Sequence, residues 1–366
     1  MTSAAEPVAP PAGSATPAPP SDAAPRGIDM EPVTAWIAGH VNDVVPPLAF
    51  GLVAGGRSNL TYRVADAGGH VFVLRRPPVS HVLPTAHDMA REYRVMTALH
   101  PTAVPVPATH GLCTDDRVTG APFYVMELVE GTVLRDRADA EEAFTEDARA
   151  HIGRHMADTL AALHAVDVDA VGLGDLGRRE GYVERQVRRW TAQFREMGGA
   201  ESDNGTLMAE VALALAARVP VQREVSLVHG DYRLDNVVLD GDGRVAAVLD
   251  WEICTLGDPM ADVGLLAVYW AEPGDEPVLE LAAPTTAPGF ISRREVLDRY
   301  ATTSGRDLDD VDYFYAFGSW KLACILQGVL ARYLAGARAG DQGSVANFPE
   351  IIGRLARRAA DALGVG

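Results

Sequence analysis

The hydrophobic pattern of this chain changes near residue 130, and this change restricts the possible folds more than any other feature. Over residues 50–129, short apolar runs alternate with polar residues and are interrupted by glycine pairs, as in antiparallel strands. From residue 141 onward, apolar residues recur every three or four positions, as in amphipathic helices. This order of patterns predicts an α+β fold in which a small β-rich lobe precedes a larger, mostly helical lobe.

The same pattern divides the chain into three predicted segments. Residues 1–27 are mainly Ala, Pro, Ser and Gly, and we expect a disordered tail because they can bury little apolar surface. Residues 28–130 form the predicted N-terminal lobe, which begins with a helix over 31–41. Strands are predicted at 52–54, 60–65, 70–75, 110–114 and 123–129, with a helix near 86–99. Residues 131–366 form the predicted helical lobe.

Within the helical lobe, one long helix is predicted over residues 144–166, followed by helices at 182–197 and 207–219. A short β segment then interrupts the helices, with strands at 237–239 and 245–249 joined by a turn rich in Asp and Gly. Helices resume after Pro259, where Asp258 is the predicted N-cap.

Composition limits the classes of partner. The formal net charge of −18 disfavours binding to nucleic acid or to an anionic membrane surface. The chain contains no run of about 18 uncharged apolar residues, so we expect no membrane-spanning helix. Its cysteines, Cys113, Cys254 and Cys324, are odd in number and widely spaced, which predicts neither a disulfide framework nor a metal knuckle. We therefore expect a cytoplasmic location.

The densest group of polar residues follows a short apolar strand, in the run Val228-His229-Gly230-Asp231-Tyr232-Arg233-Leu234-Asp235-Asn236. The predicted hairpin comes next, and its second strand ends immediately before Asp250. Because a hairpin brings its two ends together, Asp231, Asn236 and Asp250 are predicted to lie side by side. Asn236 and Asp250 offer oxygen ligands suited to Mg²⁺, whose coordination phosphates and water would complete. Asp231 is then the predicted general base for an attacking hydroxyl.

The pattern His-Gly-Asp-x-x-x-x-Asn followed by Asp-Trp-Glu resembles the aminoglycoside phosphotransferase and choline kinase superfamily, over roughly residues 30–355. The resemblance implies a bilobal protein-kinase-like fold, with ATP or GTP as phosphoryl donor and Mg²⁺ as cofactor. The chain most resembles the branch that includes the kinase domain fused to animal acyl-CoA dehydrogenases. Three motifs suggest that branch: Gly55-Gly56-Arg57-Ser58-Asn59-Leu60-Thr61-Tyr62, Val73-Leu74-Arg75-Arg76-Pro77-Pro78 and Arg91-Glu92-Tyr93.

The resemblance implies a glycine-rich turn over the nucleotide phosphates, because glycine lets backbone N–H groups approach them closely. The residues in that place are Gly55, Gly56, Ser58 and Asn59. The end of the fifth strand corresponds to the hinge, where backbone groups would contact the nucleotide base. The hinge residues are Met126, Glu127 and Val129.

The resemblance also implies a cation on the third strand, held by a glutamate on the following helix. Strand alternation places Val73 and Arg75 on one face, and Glu92 lies on the next helix. The family usually has lysine where this chain has Arg75, and Lys321 is the only lysine in the sequence. Because a guanidinium is longer and differently shaped, weaker or differently placed nucleotide binding is one consequence.

Five further residues are weighed for roles. Arg233 lies two positions after Asp231, where protein kinases have a lysine that contacts the transferred phosphate, and is a catalytic candidate. Glu252 would reach the metal through water or bind backbone. Asp258 and Asp262 are predicted to have structural roles at the start of a helix. Lys321 is a weak candidate for substrate contact.

These residues favour a kinase that transfers the γ-phosphoryl group of ATP or GTP to a hydroxyl of a small molecule. The acceptor stays open among aminoglycosides, hydroxyacyl thioesters and other metabolites, and a monomer and a homodimer both fit the sequence. The alternative is a nucleotide-binding pseudokinase that acts as a partner module, which Arg75 suggests. A protein kinase is disfavoured, because the short segment from Asp250 to Asp258 leaves no room for a long activation loop.

Overall fold

The computed structural model describes residues 25–53, 59–79, 88–277, 283–335 and 345–365. The first lobe is a five-stranded antiparallel sheet in the order β1-β2-β3-β5-β4. Its elements are α1 Met30–His40, β1 Ala49–Leu52, β2 Leu60–Ala65, β3 Val71–Arg76, α2 Met89–Leu99, β4 Thr109–Cys113 and β5 Phe123–Glu127. The two predicted helices and four of the five predicted strands of this lobe are confirmed in their described parts. The strand predicted at 52–54 shares only Leu52 with β1, and residues 54, 86 and 87 lie outside the described residues.

The two faces of β3 separate as alternation predicts. Phe72 and Leu74 are buried in the cluster that includes Ile37 of α1. Val73 lies in a different core cluster together with Met126, on the side of the sheet that faces the second lobe. Arg75 therefore extends from the face that borders the space between the lobes.

Residues 1–24 of the predicted tail lie outside the described residues, whereas residues 26 and 27, at its end, contact the first lobe. The backbone oxygens of Arg26 and Gly27 accept hydrogen bonds from Tyr62 and Arg76 respectively. Arg76 is only 4% exposed and also donates to the Thr119 backbone oxygen. Residues 26 and 27 are therefore attached to the sheet.

The second lobe is mainly helical. Its helices are α3 Arg137–Ala143, α4 Glu146–His164, α5 Tyr182–Glu196, α6 Gly205–Ala217, α7 Met260–Tyr269, α8 Arg293–Ser304, α9 Val311–Leu334 and α10 Phe348–Leu363. Two antiparallel strand pairs lie among them: β6 Ser226–Val228 with β9 Thr255–Gly257, and β7 Val237–Leu239 with β8 Val245–Val248. The predicted hairpin is therefore confirmed, whereas the three-residue strand β9 was not predicted.

The predicted helix over 144–166 is shorter than expected, because Phe144 has an extended backbone. The Thr145 side chain accepts a hydrogen bond from the Ala148 backbone N–H and so caps α4 at its start. The separate helix α3 was not predicted. It has its own cap, in which the Asp136 side chain accepts from the Asp139 backbone N–H at 2.9 Å.

Helix α9 packs against α7 and α10 in the middle of the lobe. Among the described helices it alone is long and apolar enough to cross a membrane, and 72% of its most apolar window is buried inside the lobe. Gly264 of α7 lets the two helices approach closely, because a Cβ there would lie 2.3 Å from the Phe314 backbone. The composition of α9 is thus accounted for by its place in the core.

Candidate active site

The loop between β6 and β7 carries the predicted general base. The buried ring of His229 fixes the conformation of this loop through two hydrogen bonds. The His229 side chain is fully buried, and its Nε2 donates to the Leu249 backbone oxygen at 2.9 Å. Its Nδ1 accepts from the Asp231 backbone N–H at 3.2 Å. These two contacts require a neutral imidazole with its proton on Nε2. His229 therefore connects the base to the end of the neighbouring hairpin.

Asp262 of α7 holds the same loop by accepting hydrogen bonds from its backbone. Its carboxylate accepts from the backbone N–H groups of His229 at 2.6 Å and Gly230 at 2.8 Å, and it pairs with His164 Nε2 at 3.3 Å. Burial alone would raise the pKa of Asp262, but the contact with His164 and the backbone bond outweigh burial and lower it. The predicted structural role of Asp262 thus consists of holding the loop.

Asp231 lies beside the space between the two lobes, called the cleft below. Its side chain is 30% exposed there. Its Oδ2 accepts from Asn236 Nδ2 at 2.9 Å, and its Oδ1 accepts from the Tyr269 hydroxyl at 3.2 Å. Arg233 Nε lies 3.5 Å from Oδ2. The carboxylate is therefore held from three sides and remains accessible, as a general base must be.

Arg233 lies beside the base and between two carboxylates. It pairs with Asp235 at 3.0 Å, and its guanidinium carbon lies 4.9 Å from the centre of the Tyr269 ring. Burial would lower the pKa of Arg233, but Tyr269, Asp231 and Asp235 outweigh burial and raise it. Arg233 therefore keeps a positive charge next to the point where Asp231 faces the cleft.

The hairpin brings Asn236 and Asp250 to the same end. Val237 lies opposite Val248, and the Leu249 backbone N–H donates to the Asn236 backbone oxygen at 2.8 Å. The Asn236 amide nitrogen is used by Asp231, which leaves the amide oxygen for another partner. Asp250 has a left-handed backbone conformation, with φ of 66°, and its side chain is 28% exposed.

These two residues fit a magnesium ion. Mg²⁺ takes few protein ligands and prefers carboxylate and carbonyl oxygens, which Asp250 and Asn236 supply. The described ranges contain no group of three or more His, Cys, Asp or Glu side chains able to hold a metal. A donor set of one carboxylate and one amide agrees with a metal that is also bound by nucleotide phosphates and water.

Arg75 bridges Glu92 of α2 and Asp250 at the end of the hairpin. Its Nη2 lies 2.5 Å from Asp250 Oδ1, and its Nε lies 3.4 Å from Glu92 Oε2. Burial would lower the pKa of Arg75, but Tyr124, Glu92 and Asp250 together raise it. Arg75 therefore carries a permanent charge in the position that the resemblance assigns to a lysine.

Glu92 is only 1% exposed, and burial raises its pKa despite the nearby Arg75. It accepts hydrogen bonds from the Tyr124 hydroxyl at 2.9 Å and from Asn59 Nδ2 at 3.2 Å. Tyr124 lies opposite Arg75 in the β3–β5 register. Glu92 is thus held by Arg75 on β3, Tyr124 on β5 and Asn59, which directly precedes β2.

Asn59 connects this cluster to the second lobe. Its Nδ2 also lies 3.4 Å from Glu252 Oε2, so one amide contacts two carboxylates. The structure thus brings Glu252 to Asn59, at the boundary between the lobes. The other predicted residues of the turn, Gly55, Gly56 and Ser58, lie outside the described residues.

The hinge residues differ in what they can offer a nucleotide. Met126 is buried opposite Val73. The Glu127 backbone N–H donates to the Ala108 backbone oxygen at 2.8 Å and is therefore already used. Among the residues described, Leu128 and Val129 have no backbone partner for their own backbone groups. The base-contacting role of Met126, Glu127 and Val129 stays a prediction, and the backbone groups of Leu128 and Val129 are the ones without a backbone partner among the described residues there.

Two predictions about the second lobe need correction. Lys321 does not face a substrate, because its side chain is 6% exposed and its Nζ donates to the Gly230 backbone oxygen at 3.1 Å. Asp258 precedes the N-cap, which is Pro259, although the Asp258 carboxylate does accept from the Met260 backbone N–H at 3.0 Å. Sequence reasoning also missed Tyr124 and Tyr269, which hydrogen bond to Glu92 and Asp231.

Comparison with known proteins defines the family. Residues 50–291 match the APH model, described as the phosphotransferase enzyme family. A crystal structure from Ralstonia eutropha, of a protein assigned to the aminoglycoside phosphotransferases, is 32% identical with a TM-score of 0.76. The match covers 91% of this chain and 98% of that one. The chain therefore belongs to the APH phosphotransferase family.

A second set of relatives is larger than this chain. Acyl-CoA dehydrogenase family member 10 of Mus musculus is 37% identical over 287 residues, which is 77% of this chain but 26% of that protein. Member 11 of Gallus gallus is 34% identical, and the match covers 83% of this chain and 39% of that protein. The chain thus spans about a quarter to two fifths of these relatives.

The family and the structure together establish the class of protein. The chain has the bilobal α+β fold of the kinase-like phosphotransferases, with a five-stranded sheet in the first lobe and a helical second lobe. The branch that the sequence resembles agrees with the acyl-CoA dehydrogenase relatives. Membership of the phosphotransferase enzyme family supports a kinase-type enzyme.

Proposed function

We propose that this protein is a magnesium-dependent kinase that transfers the γ-phosphoryl group of ATP or GTP to a hydroxyl of a small molecule. One observation carries the proposal. The accessible carboxylate of Asp231 is hydrogen bonded to Asn236, and the hairpin that begins after Asn236 ends beside Asp250. The residues proposed as general base and as metal ligands therefore meet at one end of one hairpin.

In the proposed reaction the acceptor hydroxyl is hydrogen bonded to Asp231, which takes its proton. The acceptor oxygen forms a bond to the γ-phosphorus, and the bond from that phosphorus to the β,γ-bridging oxygen breaks, which releases the nucleoside diphosphate. Asn236 and Asp250 would hold Mg²⁺, whose charge compensates that of the phosphates. Asn236 and Tyr269 orient the Asp231 carboxylate through its two oxygens.

The two arginines of the site are suited to phosphate. Arg75, held by Glu92, would contact the α- and β-phosphates through a guanidinium that can bind two oxygens at once. Arg233 lies beside Asp231 and would contact the transferred group. Because phosphoryl transfer needs positioning and charge compensation more than covalent chemistry, these contacts would supply much of the rate.

The acceptor is proposed as a class, a hydroxyl of a metabolite. The acyl-CoA dehydrogenase relatives make a hydroxyacyl thioester one candidate, and the aminoglycoside phosphotransferase structures make an aminoglycoside another. Exposed Arg188 and Arg189 on α5 would suit an anionic acceptor. We also propose a cytoplasmic location without nucleic-acid or membrane partners, which the free and buried cysteines and the net charge of −18 support.

The test measures release of nucleoside diphosphate from ATP and GTP, with Mg²⁺, in the presence of hydroxyacyl-CoAs, aminoglycosides, choline-like alcohols and sugars. Asp231→Asn is the blank, and Asp242→Asn, in the hairpin turn, is a matched control for the charge change. Turnover that falls about 10²- to 10⁴-fold in Asp231→Asn and is kept in Asp242→Asn is the expected result. Equal turnover in wild type and Asp231→Asn would refute the assigned base.

A nucleotide-binding pseudokinase is the second candidate, and the Arg75–Asp250 ion pair favours it. In the described structure Arg75 occupies one oxygen of a predicted metal ligand. Thermal unfolding with nucleotide, with and without Mg²⁺, distinguishes the two functions. A ligand at 100 times its dissociation constant stabilises the folded state by about 2.7 kcal/mol. Stabilisation by nucleotide without transfer to any acceptor would indicate the pseudokinase.

A further inference from the structure

The only lysine of the chain, Lys321, contacts the loop that carries the proposed base. Lys321 is in the middle of α9, and every other basic residue among the 32 lysines and arginines is an arginine. Its side chain is 6% exposed, and its Nζ donates to the Gly230 backbone oxygen at 3.1 Å. Burial of an ammonium is costly unless nearby groups compensate its charge. The buried ammonium of Lys321 therefore depends on the groups around it for compensation.

Gly230 is held at both of its peptide groups. Its N–H donates to Asp262 Oδ1 at 2.8 Å, and its carbonyl accepts from Lys321. Its φ of 86° lies in the left-handed region that favours glycine, and a Cβ there would lie 3.0 Å from the Ile253 side chain. The carbonyl of Gly230 belongs to the peptide bond that leads into Asp231. Lys321 thus fixes the peptide plane from which the base extends.

The charges that face Lys321 explain why this position suits a compact ammonium. Burial lowers its pKa, and the carboxylates of Asp262 and Asp231 oppose this effect, while Arg189 adds to it. An ammonium offers three donors around a single point, whereas a guanidinium is planar and larger. A neutral side chain at position 321 would leave the carboxylates of Asp231 and Asp262 with less compensating positive charge.

We infer that Lys321 is a positioning residue for phosphoryl transfer, which acts by holding the Gly230–Asp231 peptide so that the Asp231 carboxylate faces the acceptor. The inference rests on the proposed function and adds a residue to its machinery. Lys321 contacts neither substrate in this account. Its effect on the rate passes through Asp231 alone.

The first test compares Lys321→Met and Lys321→Gln with Gln327→Met. Gln327 is a matched control on the same helix, because it is 7% exposed and its Nε2 donates to the Met197 backbone oxygen at 3.0 Å. We expect Lys321→Met to lower kcat about 10- to 100-fold, as expected for a small displacement of a catalytic group. The KM for nucleotide should change less than about twofold, and Gln327→Met should keep its kcat. Lys321→Gln keeps an N–H donor without the charge and provides a second variant should the Met variant not fold.

The second test separates positioning from general support of the fold. In an Asp231→Asn background, Lys321→Met should change the residual rate by less than about twofold, because the group it positions is already absent. A similar fall in both backgrounds would overturn the inference. So would unchanged kcat in both Lys321 variants while wild type turns over. Absence of wild-type turnover with every acceptor would instead refute the proposed function, and the inference with it.

A chemical measurement checks the contact in the wild type itself. An amine-acylating reagent has only one lysine side chain in this sequence to react with, that of Lys321. We expect mass spectrometry to find Lys321 unmodified in the native protein and modified after unfolding in urea. Rapid acylation of Lys321 in the native protein would contradict its burial under the loop and overturn the inference.

Discussion

At the scale of single residues, the substitution of arginine for lysine on β3 is the feature with most consequences. Arg75 contacts Glu92 of α2 and Asp250 of the hairpin at the same time. A guanidinium can do so because its nitrogens form a fork, which a single ammonium lacks. Sequence alone predicted the Arg75–Glu92 pair through the resemblance, but the Asp250 contact joins residues 175 positions apart and needed the structure.

Arg75→Met should weaken nucleotide binding. The variant loses a charged partner for phosphate and leaves Glu92 buried with less compensation, so we expect Kd for nucleotide to rise about 10- to 100-fold. Titration calorimetry measures this change. Arg117→Met, which removes an arginine paired with Asp115 on the surface of the first lobe, is the control and should bind as wild type does. Unchanged nucleotide affinity in Arg75→Met would contradict the assigned role.

At the scale of elements, short-range features were predictable and long-range ones were not. The β7–β8 hairpin followed from two apolar runs around an Asp-Gly turn, and it places Asn236 next to the strand that leads to Asp250. Strand β9 has only three residues and pairs with β6 across the whole hairpin, so no local pattern marked it. Tyr269 was missed for the same reason, because α7 meets the loop only in three dimensions.

The start of α7 makes stability depend on pH. Burial, with help from Glu224 and Asp310, raises the pKa of Asp258 to about 6, above its ordinary value of 3.8. The folded state therefore holds a proton that the unfolded state has lost between these two values. Stability contributed by that proton is present at low pH and decreases as pH rises through about 6.

Asp258→Asn should remove this penalty while it keeps an oxygen for the Met260 N–H. We expect the variant to be more stable than wild type at pH 8 by about 1–3 kcal/mol, and the difference to shrink towards pH 5.5. Urea unfolding at several pH values measures the difference. Asp242→Asn, in the exposed hairpin turn, controls for loss of charge. A difference that grows as pH falls would contradict the assigned pKa.

At the scale of the whole molecule, a small number of polar contacts join the lobes. Arg91 of α2 donates to the backbone oxygens of Cys254 and Leu176, each at 2.8 Å. Asn59 reaches Glu252, and Arg75 reaches Asp250. Most of these contacts link the first lobe to residues 250–254, which follow the hairpin, so the relative position of the lobes is coupled to the predicted metal ligand Asp250.

Arg91→Met should loosen this connection. The variant leaves two partly buried carbonyls without their charged donor, so we expect a loss of about 1–3 kcal/mol in stability and weaker nucleotide binding. Arg117→Met is the control, because Arg117 pairs with Asp115 within the first lobe on the surface, where an ion pair contributes about 0–1 kcal/mol. Urea unfolding and nucleotide titration measure both effects. Equal losses in the two variants would contradict a special role for Arg91.

The most direct test of the central claim is the rate of phosphoryl transfer to the best acceptor, compared between wild type and Asp231→Asn with nucleotide binding measured in both. Removal of a general base costs about 10²- to 10⁴-fold in rate. We predict a kcat lower by that factor in Asp231→Asn, with nucleotide affinity preserved. Equal kcat values in the two proteins, or a wild type that binds neither ATP nor GTP, would contradict the account.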